Sequence, residues 1–382
     1  MLCTRPRVSR PVVIISALFP PLRGGLADHT LRLATELVAR FPVTVLTSRG
    51  AAAIPSLDVR SVVIDWKDAA ALRRAIDACP SDAVLLWQYV PHMYGHGGIN
   101  RPLMRLISGL RDAGRRQIVL AHEIWAGWTW RPHWLWYSLN HLLQWRQILR
   151  MADFVPTSTE RWINNWSERW PAFAGKFVLA PSPSNIAVEP VPTDHRERWR
   201  AEHGLAADEK VLAFFGTLNV FKQFGWVLEA WQAAHARGDR PVLCLAGDAT
   251  PEGIPDALKA WFLPLGFLPA VEASRLLQAA DLLLLPFEDG ASERRGSLMA
   301  GLAHGVPVVT TTGHNTGPTL RGADFLAHTP VSDPAAFRAN VLRLLDDPAG
   351  SRALGRRGRE TYIRDYDWPV VTARLARCVE SA

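Results

Sequence analysis

Short apolar runs, many rich in β-branched residues, alternate with longer stretches of helical periodicity along most of this chain. In the first half the runs are VVIISALF, PVTVLTS, VRSVVID, AVLLWQYV, QIVLAHE, DFVPTS and FVLAPS. Each is followed by enough chain for a crossover helix, as in LADHTLRLATELVARF. Unbroken apolar runs mark strands covered on both faces, so the pattern predicts a parallel sheet with helices on both sides. The pattern restarts with KVLAFFGTL, PVLCLAGD, LGFLP, DLLLLPFE and VPVVTTT, which predicts a second sheet of the same kind. The fold class is therefore α/β, with two doubly wound units in tandem.

The boundary falls in APSPSNIAVEPVPTDHRERWRAEHGLAADE, where Pro181, Pro183, Pro190 and Pro192 exclude regular helix and sheet ladders. Placing the hinge there gives domains 1–182 and 183–365. Ligands of open α/β sheets bind at the carboxyl ends of strands, so a central cleft between the two sheets is the natural site. The run VVIISALF behind Arg5, Arg7 and Arg10 imitates a signal peptide. It continues into PPLRGG with no clean small-residue cleavage site, and reads as a first buried strand ending in a glycine loop. No apolar run approaches the roughly 20 residues that span a bilayer.

Charge is divided unevenly. Residues 1–182 carry 22 Lys+Arg against 12 Asp+Glu, and residues 183–382 carry 21 against 24. A half near +10 suits an anionic partner. No zinc spacing, RNP-type motif or basic helical stripe points to nucleic acid, so an anionic membrane surface or a phosphorylated acceptor is expected. Six of the sixteen tryptophans lie in IWAGWTWRPHWLWYSLNHLLQWR, residues 124–146. That segment reads either as an interfacial membrane element or as a helix with its aromatics packed inside. Cys3, Cys79, Cys244 and Cys378 fit neither a disulfide nor a metal framework, which points to a reducing compartment. The Asp365–Asp367 triplet, DYD, reads as a helix start with Asp367 near the cap, and no cluster has metal-ligand spacing.

The densest chemistry lies in DLLLLPFEDGASERRGSLMAGLAHGVPVVTT, residues 281–311. A helix from about Ser297 to His304 begins directly behind Arg294, Arg295 and Gly296. Its unpaired N–H groups and the two guanidinium groups form a diphosphate site on this reading. Gly24 and Gly25, between the first strand and its helix, let backbone lie against a diphosphate. Gln88, Tyr89, His92 and Tyr94 follow a strand where an acceptor could be held. His122 and Glu123 end another and project toward the cleft.

The blocks PPLRGGLADHTLRLATEL, LAHEIW, FFGTLNVFKQFGWVLEA, LCLAGD and ADLLLLPF through GVPVVTT, in this order, resemble the retaining glycosyltransferases of family 4, the group 1 glycosyl transferases of the GT-B fold. The resemblance covers essentially the whole chain. It implies two Rossmann-like domains facing a central cleft, the first binding acceptor and the second nucleotide, with a terminal helix, 366–382, packing back on the first. It also implies transfer of a sugar from a nucleoside diphosphate to an acceptor hydroxyl, such as a lipid-linked or cell-surface polysaccharide precursor. The nucleotide sugar is then a co-substrate, with no cofactor or metal, and the place of action is cytoplasmic, peripheral on the inner face of the membrane.

Residue by residue, the resemblance assigns Lys222 to the leaving diphosphate and His122 to the donor sugar. Arg295 serves beside Lys222, because the family's arginine position next to Gly216 holds Thr217. The donor set comprises Gly24, Gly25, Gly216, Thr217, Lys222, Ser292, Glu293, Arg294, Arg295, Gly296, Ser297 and Leu298. Gln88, Tyr89, His92, Tyr94 and Glu123 are left for the acceptor. Two family glutamates, on sugar and ribose, are replaced by Ser292 and Ala300; Glu288, Asp289 or Glu293 could reach the sugar from the same loop, and the ribose contact is lost unless another residue supplies it. Their loss keeps two alternatives open, a catalytically silent nucleotide-sugar-binding or partner subunit and a GT-B sugar-nucleotide epimerase.

Overall fold

The computed structural model describes residues 10–22, 24–48, 51–62, 69–124, 132–218, 222–247 and 253–382. Contacts divide the chain into two units, residues 1–181 with 371–382, and residues 182–370. The first holds strands β1 (Val12–Ile15), β2 (Val43–Thr47), β3 (Asp58–Ser61), β4 (Val84–Tyr89), β5 (Gln117–Ala121), β6 (Val155–Thr157) and β7 (Phe177–Leu179). They lie in the order β3-β2-β1-β4-β5-β6-β7, every named pair parallel. The VVII of β1 is fully buried because it is central, with β2 on one side and β4 on the other.

The second unit holds β8 (Val211–Phe215), β9 (Val242–Ala246), β10 (Phe262–Gly266), β11 (Leu282–Leu285), β12 (Val308–Thr312) and β13 (Ala327–Pro330). Their order is β10-β9-β8-β11-β12-β13, again all parallel. Chain direction reverses beside β1 in the first sheet and beside β8 in the second, so each sheet has a switch point where ligands bind.

The strand expected in LGFLP, residues 265–269, is corrected to Phe262–Gly266, and Phe267 beyond it is exposed. The edge strand β13, AHTP, had no apolar run to announce it. An edge strand has one ladder partner and needs less apolar cover, so the burial signal fades there. In the DYD triplet, Asp367 accepts from the Trp368 N–H at 2.8 Å at the start of the Trp368–Ser381 helix, and Asp365 pairs with Arg364. Between β7 and the next helix, His195–Glu202, the proline-rich chain forms no regular element.

Candidate functional site

In the second unit the loop after β8 turns at Gly216, whose φ of +100° suits a residue without Cβ. The chain returns to the end of β11, where Lys222 bridges Phe287 and the Gln223 N–H donates to the Pro286 carbonyl at 2.8 Å. This return holds the Lys222 ammonium over the Phe214 ring, 4.9 Å from its centre, donating to the Phe215 carbonyl at 3.1 Å. A Cβ built on Gly216 would stand 2.9 Å from Lys222 Nζ and 3.6 Å from Ser297 Cβ. Lysine, glycine and the first turn of the Gly296–Ala303 helix thus meet at one point. That helix has no side-chain cap, so its leading N–H groups are available to an anion. Leu298 is buried and offers only its backbone, whereas Thr217 is exposed beside Gly216.

The two arginines are not two uncommitted charges, which corrects the diphosphate picture drawn from RRG. Both pair with Asp289, Arg294 at 3.4 Å and Arg295 more closely, and the Asn315 amide donates to the same carboxylate at 2.7 Å. Arg295 also lies over the Phe287 ring, 4.8 Å from its centre, and its Nε has no hydrogen-bond partner. Burial pushes the Asp289 carboxyl up, but Arg295, Asn315 and Arg294 together hold it below its ordinary value. Burial lowers Arg295 against the opposing pull of Asp289. Asp289 stood among three acidic candidates in the sequence, and Asn315 was not anticipated. The signal for Asn315 lies in the fold, because Gly290 and Gly313 approach so closely that a Cβ on Gly290 would come 2.2 Å from the Gly313 nitrogen.

Ser292 is fully buried and its hydroxyl has no hydrogen-bond partner. Glu293 is buried too, its carbonyl accepting from the Ser182 N–H at 3.1 Å, while Glu288 is exposed. Ala300 faces the core. Among the described residues no group of three His, Cys, Asp or Glu side chains is placed to hold a metal ion.

In the first unit Gly24, with φ +146°, precedes the Gly25–Val38 helix, which also lacks a side-chain cap. A Cβ built on either glycine would meet nothing within 4 Å. His122, just past β5, shares a hydrogen bond between its Nε2 and the Gln88 Oε1 at the end of β4. The His29 ring meets His122 edge to face, with centroids 4.7 Å apart. His29 was missed in the sequence, although it sits four residues beyond Gly25 in the glycine block. Burial lowers His122 to about 4, and burial together with the neighbouring His122 lowers His29 well below its ordinary value. Gln88 Nε2 is buried without a partner.

The remaining acceptor candidates separate. Tyr89 and Tyr94 stack on each other inside the core, Tyr94 donating to the Gln88 carbonyl at 2.6 Å, so neither ring faces a ligand. His92 is exposed against His141, and Glu123 is exposed beside His122.

A neutral buried histidine makes stability depend on pH. With folded values below the unfolded value near 6.5, the contribution of His122 is full above that value and is lost as pH falls toward 4. Thermal unfolding between pH 7.5 and 4.5 should show this decline, and His122→Gln should flatten it. An equal slope in the variant would place the titration elsewhere.

A family model described as Glycosyl transferases group 1 matches residues 209–347, the stretch that carries Gly216, Lys222 and the Asp289–Arg295 loop. That stretch matches the group 1 glycosyl transferases, and the two parallel-sheet units have the GT-B fold. The chain is 23% identical over 396 residues to a GDP-mannose-dependent monoacylated alpha-(1-6)-phosphatidylinositol monomannoside mannosyltransferase of Corynebacterium glutamicum, with 98% of each chain covered. Among solved structures it resembles sucrose-phosphate synthase from Thermosynechococcus elongatus, with a TM-score of 0.74 at 17% identity, covering 97% of this chain and 98% of that one. It also resembles Anabaena HepE in complex with UDP and glucose, with a TM-score of 0.70 at 13% identity over 98% and 100% of the two chains. Both structures share the fold of this chain.

Proposed function

We propose that this glycosyltransferase moves a sugar, with retention of configuration, from a nucleoside diphosphate held by the second unit to an acceptor hydroxyl held by the first. The observation that carries this is the meeting of Lys222 Nζ, Gly216 and the uncapped helix start at Ser297. Departure of a diphosphate develops negative charge on phosphoryl oxygens, and an ammonium with oriented N–H dipoles stabilises it without delivering a proton. These groups supply the positive charge in place of a metal, and the nucleotide sugar is the co-substrate without a cofactor. Transfer on the front face passes the acceptor proton to the departing phosphate oxygen, so no protein base is needed.

His122, neutral at ordinary pH, can hydrogen-bond the donor sugar. The buried Ser292 hydroxyl lacks a partner and is the contact left where the family places a carboxylate. The Corynebacterium relative is named for GDP-mannose and a phosphatidylinositol mannoside, and HepE was solved with UDP and glucose. Both names support a nucleotide-sugar donor here. The basic first half favours a lipid-linked or polysaccharide-precursor acceptor at the inner face of an anionic membrane. Among the described residues no helix is long and apolar enough to cross one.

Incubation with a panel of nucleotide sugars and candidate acceptors, with chelator present, should release diphosphate. Nucleotide binding without release under every pairing would favour the silent subunit, a reading the Asp289-paired arginines also fit.

Ala300 in the core leaves no carboxylate at the family's ribose position. A charge-assisted ribose contact is worth about 1.5 to 3 kcal/mol, so its loss should weaken discrimination against deoxyribose. Calorimetry on matched donors is expected to show the 2′-deoxy form within roughly threefold of the ribose form. A tenfold preference for ribose would assign the contact to another residue.

A further inference from the structure

We infer that the outer face of the Pro132–Met151 helix is the surface by which this protein docks onto an anionic lipid bilayer. The inference extends the membrane part of the proposed function and uses none of its chemistry.

The inner face of this helix is locked in place. Gln144 Nε2 donates to the Gly98 carbonyl at 2.8 Å, its Oε1 accepts from the Asn100 N–H at 2.7 Å, and His141 Nε2 lies 2.8 Å from the Gly97 carbonyl. Trp145, Ile148 and Leu149 are fully buried on the same side. The opposite face is therefore held outward, and it is apolar: Leu135 is 47% exposed, Trp136 54%, Leu139 47% and Leu143 56%. At 100° per residue these four fall within an arc of about 100°. Arg146 and Arg150, both exposed, continue the same arc toward the helix end.

A soluble monomer rarely leaves a contiguous apolar stripe of this size uncovered. The occupant is chosen by charge. The helix carries no acidic residue, and neither Arg146 nor Arg150 forms an ion pair among the described residues. Arg101 and Arg105 stand exposed on the Arg101–Asp112 helix that packs beside it. A bilayer surface offers acyl chains and anionic headgroups in one plane, matching leucine and tryptophan followed by arginine. Pairing with a second copy would cover the leucines but leave these arginines without a carboxylate partner on the same helix. The six-tryptophan segment thus divides: Trp145 is core, Trp134 and Trp136 are outside, and Trp125, Trp128 and Trp130 lie outside the described residues.

Vesicle flotation of the full chain, without nucleotide or acceptor, tests the inference. Wild-type protein should float with phosphatidylcholine vesicles containing phosphatidylglycerol, far less with phosphatidylcholine alone, and less as salt rises from 0.1 to 1 M and the Debye length shrinks from about 10 to 3 Å. Leu139→Glu with Leu143→Glu should cut this binding at least about tenfold, a change of about 1.4 kcal/mol. Its unfolding temperature should be unchanged, because both side chains already face solvent. Should that variant misfold, Arg146→Glu with Arg150→Glu should remove the salt-sensitive part instead. Wild-type binding retained by both variants would overturn the inference, as would failure to float with either lipid. A concentration-dependent dimer dissolved by the leucine changes, with no vesicle binding, would assign the face to a second copy. Flotation without sugar transfer by any donor would leave this inference standing and remove the catalytic one; transfer without flotation would do the reverse.

Discussion

Lys222→Ala is expected to lower turnover by about 30-fold to 1,000-fold with the fold intact, the equivalent of roughly 2 to 4 kcal/mol of transition-state stabilisation. The size follows from position. Lys222 Nζ sits within contact of Gly216 and beside the first turn of the 296–303 helix, where a second source of positive potential already points. A charge there matters most when the diphosphate leaves, so kcat should fall more than donor affinity. The backbone bridge to Phe287 and the hydrogen bond from Gln223 to Pro286 do not involve the lysine side chain, and folding should survive its truncation. Diphosphate release measured against donor concentration separates the two effects. Turnover within a few-fold of wild type would mean that the leaving group departs elsewhere. Arg295→Ala is expected to slow the reaction as well, but its result must be read together with stability because Arg295 already has a partner.

The second large effect concerns that partner. Asp289→Ala is expected to destabilise the protein by about 3 to 5 kcal/mol, since it leaves the largely buried Arg295 guanidinium without its counter-charge. It also removes the acceptor of the Asn315 amide, which helps tie the loop after β11 to the loop after β12. Asp289→Asn keeps the shape but not the charge and should recover only part of the loss. The pH dependence has a definite sign. The folded carboxyl lies below its ordinary value of 3.8, so its contribution is full above that value and lost as pH falls through the lower folded value. Urea unfolding at pH 7 and across pH 5 to 2.5 should show a large gap between wild type and Asp289→Ala that narrows only at the acid end. A gap below about 1 kcal/mol at pH 7 would show that this pair is only a surface ion pair.

The two sheets could be read from the chain because strands buried on both faces are largely apolar: β1, β8 and β11 are unbroken apolar runs, and β4 and β12 carry only buried Gln88 and threonines besides. Strands at the rim were harder. β3 and β13 each have one neighbour, and β10 was placed three residues late because LPLGFLP is apolar and proline-rich throughout, so composition alone does not mark where the ladder ends. The glycine turns and the helix start at Gly296 were legible for a similar local reason: a backbone that must bend or cap within a few residues advertises it.

Side-chain pairing was not legible. Arg294 and Arg295 read as two charges waiting for phosphate, and composition does not say that Asp289, five and six residues earlier, holds both; the folded loop does. His29 and His122 are 93 positions apart in the chain and meet because β1, which leads into the first helix, and β5 lie in one sheet with β4 between them. The tryptophan-rich segment is the sharpest case. Its residues suit both a core helix, the reading favoured by the sequence, and an interfacial one, and the hydrogen bonds of His141 and Gln144 to the loop at 97–100 decided which face turned outward. What the chain determined by itself was the architecture and the kind of chemistry, because strand burial, turns and helix starts depend on neighbours a few residues away. Which histidines touch and which face of a helix meets solvent were decided by tertiary structure, because each depends on contacts between residues that the sequence keeps far apart, and which charges are spent was decided by how the loop from Asp289 to Arg295 folds back on itself.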